Sequence, residues 1–421
     1  MIYLIGGLLA SAAMLLYRRP PSRTSPLWSV TLGSTSLTSR LKGNGDRTVS
    51  SFALIFSFTL LFLIAALRYG VGTDYWLRYA PLFELIQQGR VEGQEIGYVL
   101  LNKAVGLATD DYQGIFVVTS FVTIALFYRF FLRMSINPAL SVFIYVFGGF
   151  YLEDFNLVKQ ALAIAILVNT FEFALRNKHF AFVLATLLAA SFHSSAFVWF
   201  AVWPLMWIRV SRAARIAIAL TMIAVILAVP QIVSMLVEQF APNYGWYFDS
   251  NYGSTRSIQP AVVMVAVAAF VFTLVKVGKA ERVDRIADNL ITVSNVRPMG
   301  SQNFGTKSER PKFVRPEINS QTARKTKRTD RYADAVVNVL AVSAAVLVAT
   351  TTIAYLFSRL NYYFAPAQLV AVPLALSLVQ NRLARQLLTF AFMSAYMTSF
   401  VLQFLVWNAH GVLPYESIFS R

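Results

Sequence analysis

The chain contains no cysteine, little charge and only three histidines among its 421 residues. Without cysteine it forms no disulfide, performs no thiolate chemistry and offers no cysteine-ligated metal site. Charged residues make up 14% of the chain, well below the ~25% of soluble domains. Together with 57% hydrophobic residues and a mean hydropathy of +0.57, this shortage of charge predicts an integral membrane protein.

The apolar segments indicate the fold class. They have the length of transmembrane helices and show no two-residue alternation typical of β-barrel strands. The sequence therefore predicts an all-α protein, a polytopic transmembrane helical bundle of about 12 spans. The first segment lacks a preceding positive region and a small-residue cleavage site, which favours a span over a cleaved signal peptide. The predicted spans are 2–17, 51–67, 114–131, 138–151, 157–175, 179–191, 194–208, 214–235, 260–277, 334–357, 364–380 and 386–407.

Two basic connections divide the chain into five predicted parts. The second of them, residues 280–332, is rich in Arg, Lys, Asn, Ser, Thr and Pro and has few aromatics. This composition predicts a disordered or loosely folded loop. The parts are a first span (1–17), a basic cytoplasmic loop (18–50), the first part of the transmembrane core (51–279), the basic cytoplasmic loop just described (280–332), and the last three spans with a periplasmic tail (333–421).

Positive charge concentrates on one side of the predicted membrane. The net charge is +17, and alternate connections hold 29 of the 37 lysines and arginines. The positive-inside rule places these connections in the cytoplasm and both chain termini on the outer side of the membrane. Basic residues in such loops set topology and contact anionic lipid, so the charge does not indicate a nucleic-acid partner.

The stretch 179–208 predicts a helical hairpin. It is apolar throughout and has basic clusters at both ends, so it must cross the membrane an even number of times. The chain therefore turns back near Phe192-His193-Ser194-Ser195, which places His193 at or just below the outer surface.

Polar side chains that are rare in membranes collect at this same outer side. A charge at the centre of a transmembrane helix costs about 2.5–3.5 kcal/mol, so such a concentration predicts a functional site. The members are Arg68, Asp74, Glu95, Asn156, Lys159, His193 and Arg359.

The spacing of these residues leaves two interpretations open for each. Arg68 is either an interfacial anchor or a planar binder of phosphate. Tyr75 and Tyr79, which follow beside Asp74, either form an aromatic belt or line a sugar site. Glu95, Tyr98 and Asn102 share one helical face that is either a solvated stripe or a ligand surface. Asn156, Lys159 and Gln160 also share one helical face, which either binds a ligand or caps the helix. Arg359, followed by Tyr362, could bracket a diphosphate together with Arg68. His193 is either an interfacial residue or a catalytic one, and we predict no metal site.

The order of these elements resembles the EpsG family of exopolysaccharide polymerases, which are similar in role to the Wzy O-antigen polymerases. The resemblance runs from about residue 51 to the C-terminus. Its matching pieces are Arg68-x-x-x-Gly72-x-Asp74-Tyr75 with Tyr79, Glu95-x-Gly97-Tyr98 with Asn102, Asn156-x-x-Lys159-Gln160, Phe192-His193-x-Ser195-Ala196, Arg359 with Tyr362-Tyr363-Phe364, and Pro414-Tyr415. Lys159 departs from the arginine usual in the family, which preserves the charge but not a bidentate contact.

The resemblance implies a glycosyltransferase of the bacterial inner membrane that acts at the periplasmic face. Its substrate would be an undecaprenyl-diphosphate-linked oligosaccharide. The implied partners are this glycan, membrane lipids, a chain-length regulator and other polysaccharide-assembly proteins. No cofactor is expected, since arginines can neutralise a diphosphate leaving group.

Within this interpretation the residues take separate roles. Arg68 and Arg359, assisted by Lys159, would bind the diphosphate, while the tyrosines and amides would contact sugar. His193, Asp74 and Glu95 are the eligible general bases, and the unperturbed pKa of histidine favours His193 slightly. Three alternatives stay open: an O-antigen-type ligase, a flippase or transporter of the lipid-linked unit, and an O-acyltransferase.

Overall fold

The computed structural model describes residues 1–18, 44–205, 263–277, 320–350 and 355–420. These residues form helices and no strands, which confirms the all-α prediction. The helices are α1 (Ile2–Leu16), α2 (Asn44–Ala66), α3 (Ala80–Gln87), α4 (Ile96–Gly106), α5 (Gln113–Met134), α6 (Pro138–Phe147), α7 (Phe150–Glu153), α8 (Val158–Leu175), α9 (His179–Phe192), α10 (Val202–Leu205), α11 (Val263–Val277), α12 (Ser320–Thr350), α13 (Tyr355–Phe364), α14 (Gln368–Ser377) and α15 (Arg382–Phe400).

Five helices in the described residues are long and apolar enough to cross a membrane. They are the segments Arg47–Ala66, Gln113–Met134, Val158–Leu175, Arg331–Val348 and Arg382–Val406. Five shorter apolar helices accompany them, of 10–17 residues each. The chain is therefore a helical membrane protein, and the count of twelve spans stays a prediction because segment 214–235 lies outside the described residues.

Several predicted boundaries differ in the structure. Helix α12 begins at Ser320 and α2 begins at Asn44, so the ends of both predicted loops are helical. The predicted span 138–151 is broken at Gly149, which has a φ of +90° and separates α6 from α7. Polar sequences such as these can continue a helix into water once its apolar part is packed, and polarity alone does not mark that boundary.

Helix α8 is the centre of the bundle. Of its 18-residue apolar window, 89% is buried inside the protein, against 17% for α15, which leaves most of α15 facing outward. Helix α8 packs mainly between α9 and α5. Helix α1 packs against α2 and α6. Side chains that begin α8 are therefore held rigidly at one end of the core, which we call the outer end.

The C-terminal segment closes this outer end. The amide of Tyr69 donates to the Glu416 carbonyl, and the amide of Ile418 donates to the Leu67 carbonyl, both at 2.9 Å. The Tyr3 hydroxyl of α1 donates to the Val412 carbonyl at 2.9 Å. The loop after α2 is thus fixed by residues more than 300 positions away in the chain.

Candidate functional site

The predicted hairpin turn places His193 at the outer end. Helix α9 ends at Phe192, His193 is extended (φ −155°, ψ 113°), and a 3₁₀ helix follows over Ser194–Ala201. At the far end of the hairpin, the Trp203 indole N–H donates to His179 Nδ1 at 3.2 Å. The chain therefore turns back at His193, as the charge pattern predicted.

Three of the predicted polar residues form one ionic array. Lys159 Nζ lies 2.6 Å from Glu95 Oε2, and His193 Nδ1 lies 3.1 Å from Glu95 Oε1. Gln94 Oε1 accepts a further hydrogen bond from Lys159 at 3.3 Å. These residues come from the start of α8, the N-terminus of α4 and the end of α9, so tertiary packing alone assembles them.

Gly97 permits this assembly. A Cβ atom at this position would lie 2.8 Å from the Ser191 carbonyl oxygen, closer than Cβ atoms approach backbone. Only glycine therefore lets the first turn of α4 approach the last turn of α9, which brings Glu95 to His193.

The three side chains of the array differ in exposure, and its carboxyl group is ionised. The side chain of Lys159 is 4% exposed, that of Glu95 17% and that of His193 27%. Burial opposes ionisation of Glu95, but the hydrogen bonds from His193 and Lys159 outweigh it and lower the pKa of this carboxyl to about 2. Because a carboxylate only accepts hydrogen bonds, His193 Nδ1 carries a hydrogen and Nε2 is the basic nitrogen of the neutral ring.

The two amides of the predicted stripe hold backbone in place. Asn156 Oδ1 accepts from the Asp74 amide at 3.1 Å, and Asn156 Nδ2 donates to the His410 carbonyl at 2.9 Å. Gln160 Nε2 donates to the Arg359 carbonyl at 2.9 Å. Asn156 and Gln160 therefore connect three segments to the outer end of α8: the loop that contains Asp74, the C-terminal segment and the middle of α13.

Asp74 and Arg359 both act electrostatically on His410. Burial lowers the pKa of His410, the positive charge of Arg359 lowers it further, and the carboxylate of Asp74 opposes both. Burial likewise raises the pKa of Tyr79 to about 12, against the charges of Arg78 and Arg359. The side chains of Asp74 and Arg359 are partly exposed, whereas that of Tyr79 is buried. Besides the array, the outer end therefore has two partly exposed charges that act on His410.

Arg68 is enclosed within the protein. Its side chain is among the largest that are fully buried, and its guanidinium lies over the Phe155 ring at 4.4 Å. It donates to the Ala65 carbonyl at 2.8 Å, and to Ser120 Oγ and the Phe155 carbonyl at 3.4 Å each. In this arrangement Arg68 connects the end of α2 with the turn just before α8.

Four further predicted contact residues are also buried, in a small aromatic cluster beneath the outer surface. Tyr75 stacks on Phe116 at 4.2 Å, and its hydroxyl donates to Gln113 Oε1 at 2.5 Å. Lys159 Nζ lies 5.5 Å from the centre of the Tyr98 ring. The four are Tyr75, Tyr79, Tyr98 and Asn102, each 3% exposed or less.

The structure adds contacts of residues to which the sequence assigned no role. Ser195 Oγ and the Tyr363 hydroxyl share a hydrogen bond of 2.7 Å beside the array. Glu153 bonds to Tyr362, and Asp154 Oδ2 accepts from the Tyr145 hydroxyl at 2.6 Å. The adjacency of Glu153 and Asp154 to Asn156 was the available signal. Within the described residues, no three histidine, aspartate or glutamate side chains lie together as metal ligands would.

The acidic pair Glu153 and Asp154 predicts a pH-dependent stability. Burial raises the pKa of Glu153 to about 8 and that of Asp154 to about 7, from ordinary values of 4.5 and 3.8. The folded protein therefore binds protons more tightly, and its free energy of unfolding should fall as pH rises from about 4 towards 8. Glu153→Gln should flatten this slope, as measured by thermal unfolding in detergent between pH 5 and 9.

The exposed Glu84→Gln variant is the control for this experiment. An unchanged slope in Glu153→Gln would mean that Glu153 is ionised in the folded protein at neutral pH.

The helices and the outer ionic array define a polytopic membrane protein with a partly exposed acid–histidine pair at one end of its helical core. The chain belongs to the EpsG family, whose model matches residues 51–417. This is a family of Wzy-like polymerases and connects the chain with exopolysaccharide or O-antigen synthesis. No curated protein and no solved structure matches the chain significantly.

Proposed function

We propose that the protein is a polysaccharide polymerase that joins undecaprenyl-diphosphate-linked oligosaccharide repeat units at the periplasmic face of the bacterial inner membrane. The observation that carries the proposal is the contact between Glu95 and His193 in a member of the EpsG family. Such a pair is suited to remove the proton from a hydroxyl nucleophile. The proposal includes the twelve-span topology with both termini in the periplasm.

The reaction needs a base and a cation. The acceptor hydroxyl oxygen of one lipid-linked glycan attacks the anomeric carbon of another, and the bond from that carbon to the diphosphate oxygen breaks. The proton of the hydroxyl moves to His193 Nε2, and Glu95 stabilises the resulting imidazolium through Nδ1. Undecaprenyl diphosphate leaves with the bonding electrons. No metal is needed in this scheme, because protein cations neutralise the leaving group.

The burial of each cation decides its proposed role. Arg359 is partly exposed at the outer end and is assigned to the diphosphate. Lys159 is committed to Glu95, so it orients that carboxylate and adds positive potential. Arg68 is enclosed, which favours support of the Asp74 loop over contact with a large substrate.

The remaining predicted contacts divide in the same way. Asp74 and Tyr362 are partly exposed and suit contact with sugar hydroxyls, while the buried Tyr75, Tyr79, Tyr98 and Asn102 support the floor of the site. Asp74 is one of the two charged residues that act on His410, so we place it as a sugar ligand and not as the base.

A ligase is the second candidate, since the same cation and base serve any hydroxyl acceptor. A flippase or transporter would place its polar groups near mid-membrane, whereas Glu95, Lys159 and His193 lie where α4 and α8 begin and α9 ends, which favours surface chemistry. An O-acyltransferase would need an acyl donor from the cytoplasm, which the outward placement of the array disfavours.

Arg359→Ala is expected to abolish long-chain polymer in cells that lack the chromosomal copy. Without this guanidinium the leaving diphosphate loses its proposed counter-charge, and single repeat units should accumulate on the lipid carrier. The measurement is a gel of surface polysaccharide beside an immunoblot of membrane levels. Arg90→Ala, an exposed arginine of the loop after α3, should retain the ladder.

Three results would contradict the proposal. A normal ladder from Arg359→Ala removes the role of this arginine. A deletion strain whose chain lengths are normal but whose glycans lack acetyl groups or stay in the cytoplasm would indicate an acyltransferase or a flippase. A full-length polymer that is not attached to its final acceptor would indicate a ligase.

A further inference from the structure

A second charged cluster lies at the end of the bundle opposite His193. It is centred on Glu172, whose side chain is 5% exposed in the last turn of α8. Arg133 contacts both carboxylate oxygens, Arg176 Nε donates to Oε1 at 2.8 Å, and Arg129 lies 3.4 Å from Oε2. One carboxylate therefore orders three guanidinium groups from two helices.

Further basic residues join this cluster from α12 and from the start of α9. Arg331 donates to the Asn177 side chain at 3.0 Å and to the Ala174 carbonyl at 3.1 Å. The next residue, Tyr332, donates to the Met134 carbonyl at 2.6 Å. Lys178, exposed, precedes α9. The last turns of α5 and α8, the start of α9 and the start of the apolar segment Arg331–Val348 of α12 thus meet at one basic surface, which we call the Glu172 cluster.

The Glu172 cluster has more positive charge than its own ion pairs require. Its five cations are Arg129, Arg133, Arg176, Lys178 and Arg331, and its acids are Glu172 and Asp334, one turn after Arg331, which leaves a net charge of +3. The side chains of Arg129 and Arg133 are 41% and 38% exposed. Arg129 donates to Asn169 as well as to Glu172, and a second anion can approach it at the exposed part of its side chain.

The position of the cluster matches the headgroup level of a membrane. It lies where the apolar segments Gln113–Met134 and Val158–Leu175 end. Directly after Lys178, α9 exposes apolar side chains, of which Phe180 is 75% and Leu184 49% exposed. A basic surface beside a lipid-facing apolar helix is suited to hold both the phosphate and the acyl chain of one lipid.

We infer that the Glu172 cluster binds the phosphate of an anionic phospholipid. Arg129 and Lys178 provide charge at the exposed rim, and Glu172 holds the arginines in place before the lipid arrives. The site is independent of the proposed polymerase activity, because it lies at the other end of α8 from Lys159. In the proposed topology it faces the cytoplasmic leaflet.

The test is native mass spectrometry of the full-length chain in detergent with phosphatidylglycerol or with phosphatidylcholine of the same acyl chains. Wild type should retain phosphatidylglycerol preferentially. Arg129→Gln/Lys178→Gln leaves Arg133 and Arg176 on Glu172, so this buried carboxylate stays paired. A glutamine at position 129 can still donate to Asn169, and the variant should bind this lipid about tenfold or more weakly. Arg382→Gln/Arg385→Gln at the start of α15 loses the same charge and should bind as wild type.

The possible outcomes distinguish binding of a lipid phosphate from binding of free inorganic phosphate. Equal retention of the two lipids by wild type, or equal loss in both variants, would overturn a specific site. Thermal stabilisation by inorganic phosphate in wild type but not in Arg129→Gln/Lys178→Gln, with no lipid preference, would assign the cluster to free phosphate and overturn the lipid assignment.

Discussion

His193→Gln is expected to lower the rate of polymer formation by about a hundredfold to ten-thousandfold, the usual contribution of a general base. Glutamine can still hydrogen-bond to Glu95 but cannot accept the proton of the acceptor hydroxyl. The measurement is the chain-length ladder of complemented cells, followed by polymerisation of lipid-linked units by the purified protein. The pH dependence of the wild-type rate should show one basic group that the variant lacks.

His179→Gln is the matched control. This histidine begins the helix that ends beside His193, and it bonds to Trp203 at the far end of the same hairpin. It should polymerise as wild type at equal membrane levels. If both variants are equally inactive, the loss reflects the hairpin and not the base, and full activity of His193→Gln would exclude His193 as the base.

Glu95→Gln should reduce activity by about a hundredfold or more and also destabilise the protein. An amide can donate to His193 Nδ1, which favours the tautomer with its hydrogen on Nε2, and that ring cannot take the proton. The change also leaves the buried ammonium of Lys159 without its carboxylate, at a cost on the order of 3 kcal/mol. Activity and thermal unfolding are measured on the same preparations.

The double variant Glu95→Gln/Lys159→Gln separates the two effects. It restores the charge balance, so its stability should recover towards wild type while its activity stays low. Glu92→Gln, an exposed change three residues away, should alter neither property. Recovery of activity with stability would show that Glu95 acts only through folding, and that His193 does not depend on its carboxylate.

Local patterns identified the members of the array but not their contacts. Glu95, Lys159 and His193 stood out because ionisable residues are costly at membrane depth. Their pairing depends on helices from three parts of the chain and on the close approach at Gly97, which no spacing rule contains. For the same reason the sequence could not show that Glu95 has two partners or that Ser195 bonds to Tyr363.

The burial of the predicted ligands could not be predicted from their residue types. Arg68 and Tyr98 look like surface ligands in a sequence, because arginine and tyrosine commonly extend to the interface. The C-terminal segment and α8 cover that region instead, and each lies far along the chain from residue 68. The predicted helix boundaries are wrong at Ser320 and Gly149. At these positions polar residues and a glycine are compatible with either a helix or a loop.

The sequence by itself determined that this is a helical membrane protein of the EpsG family, and it predicted a group of polar residues, Glu95, Lys159 and His193 among them, at one end. Composition and the length of the apolar segments determine which segments lie in lipid and which lie in water. The order of the motifs indicates the family. Only the tertiary structure decided which charges meet. It joined Lys159 and His193 through Glu95, enclosed Arg68 and gathered the arginines around Glu172. Packing decides such contacts because an ion pair depends on distance and burial, and both are set by helices that are remote in sequence.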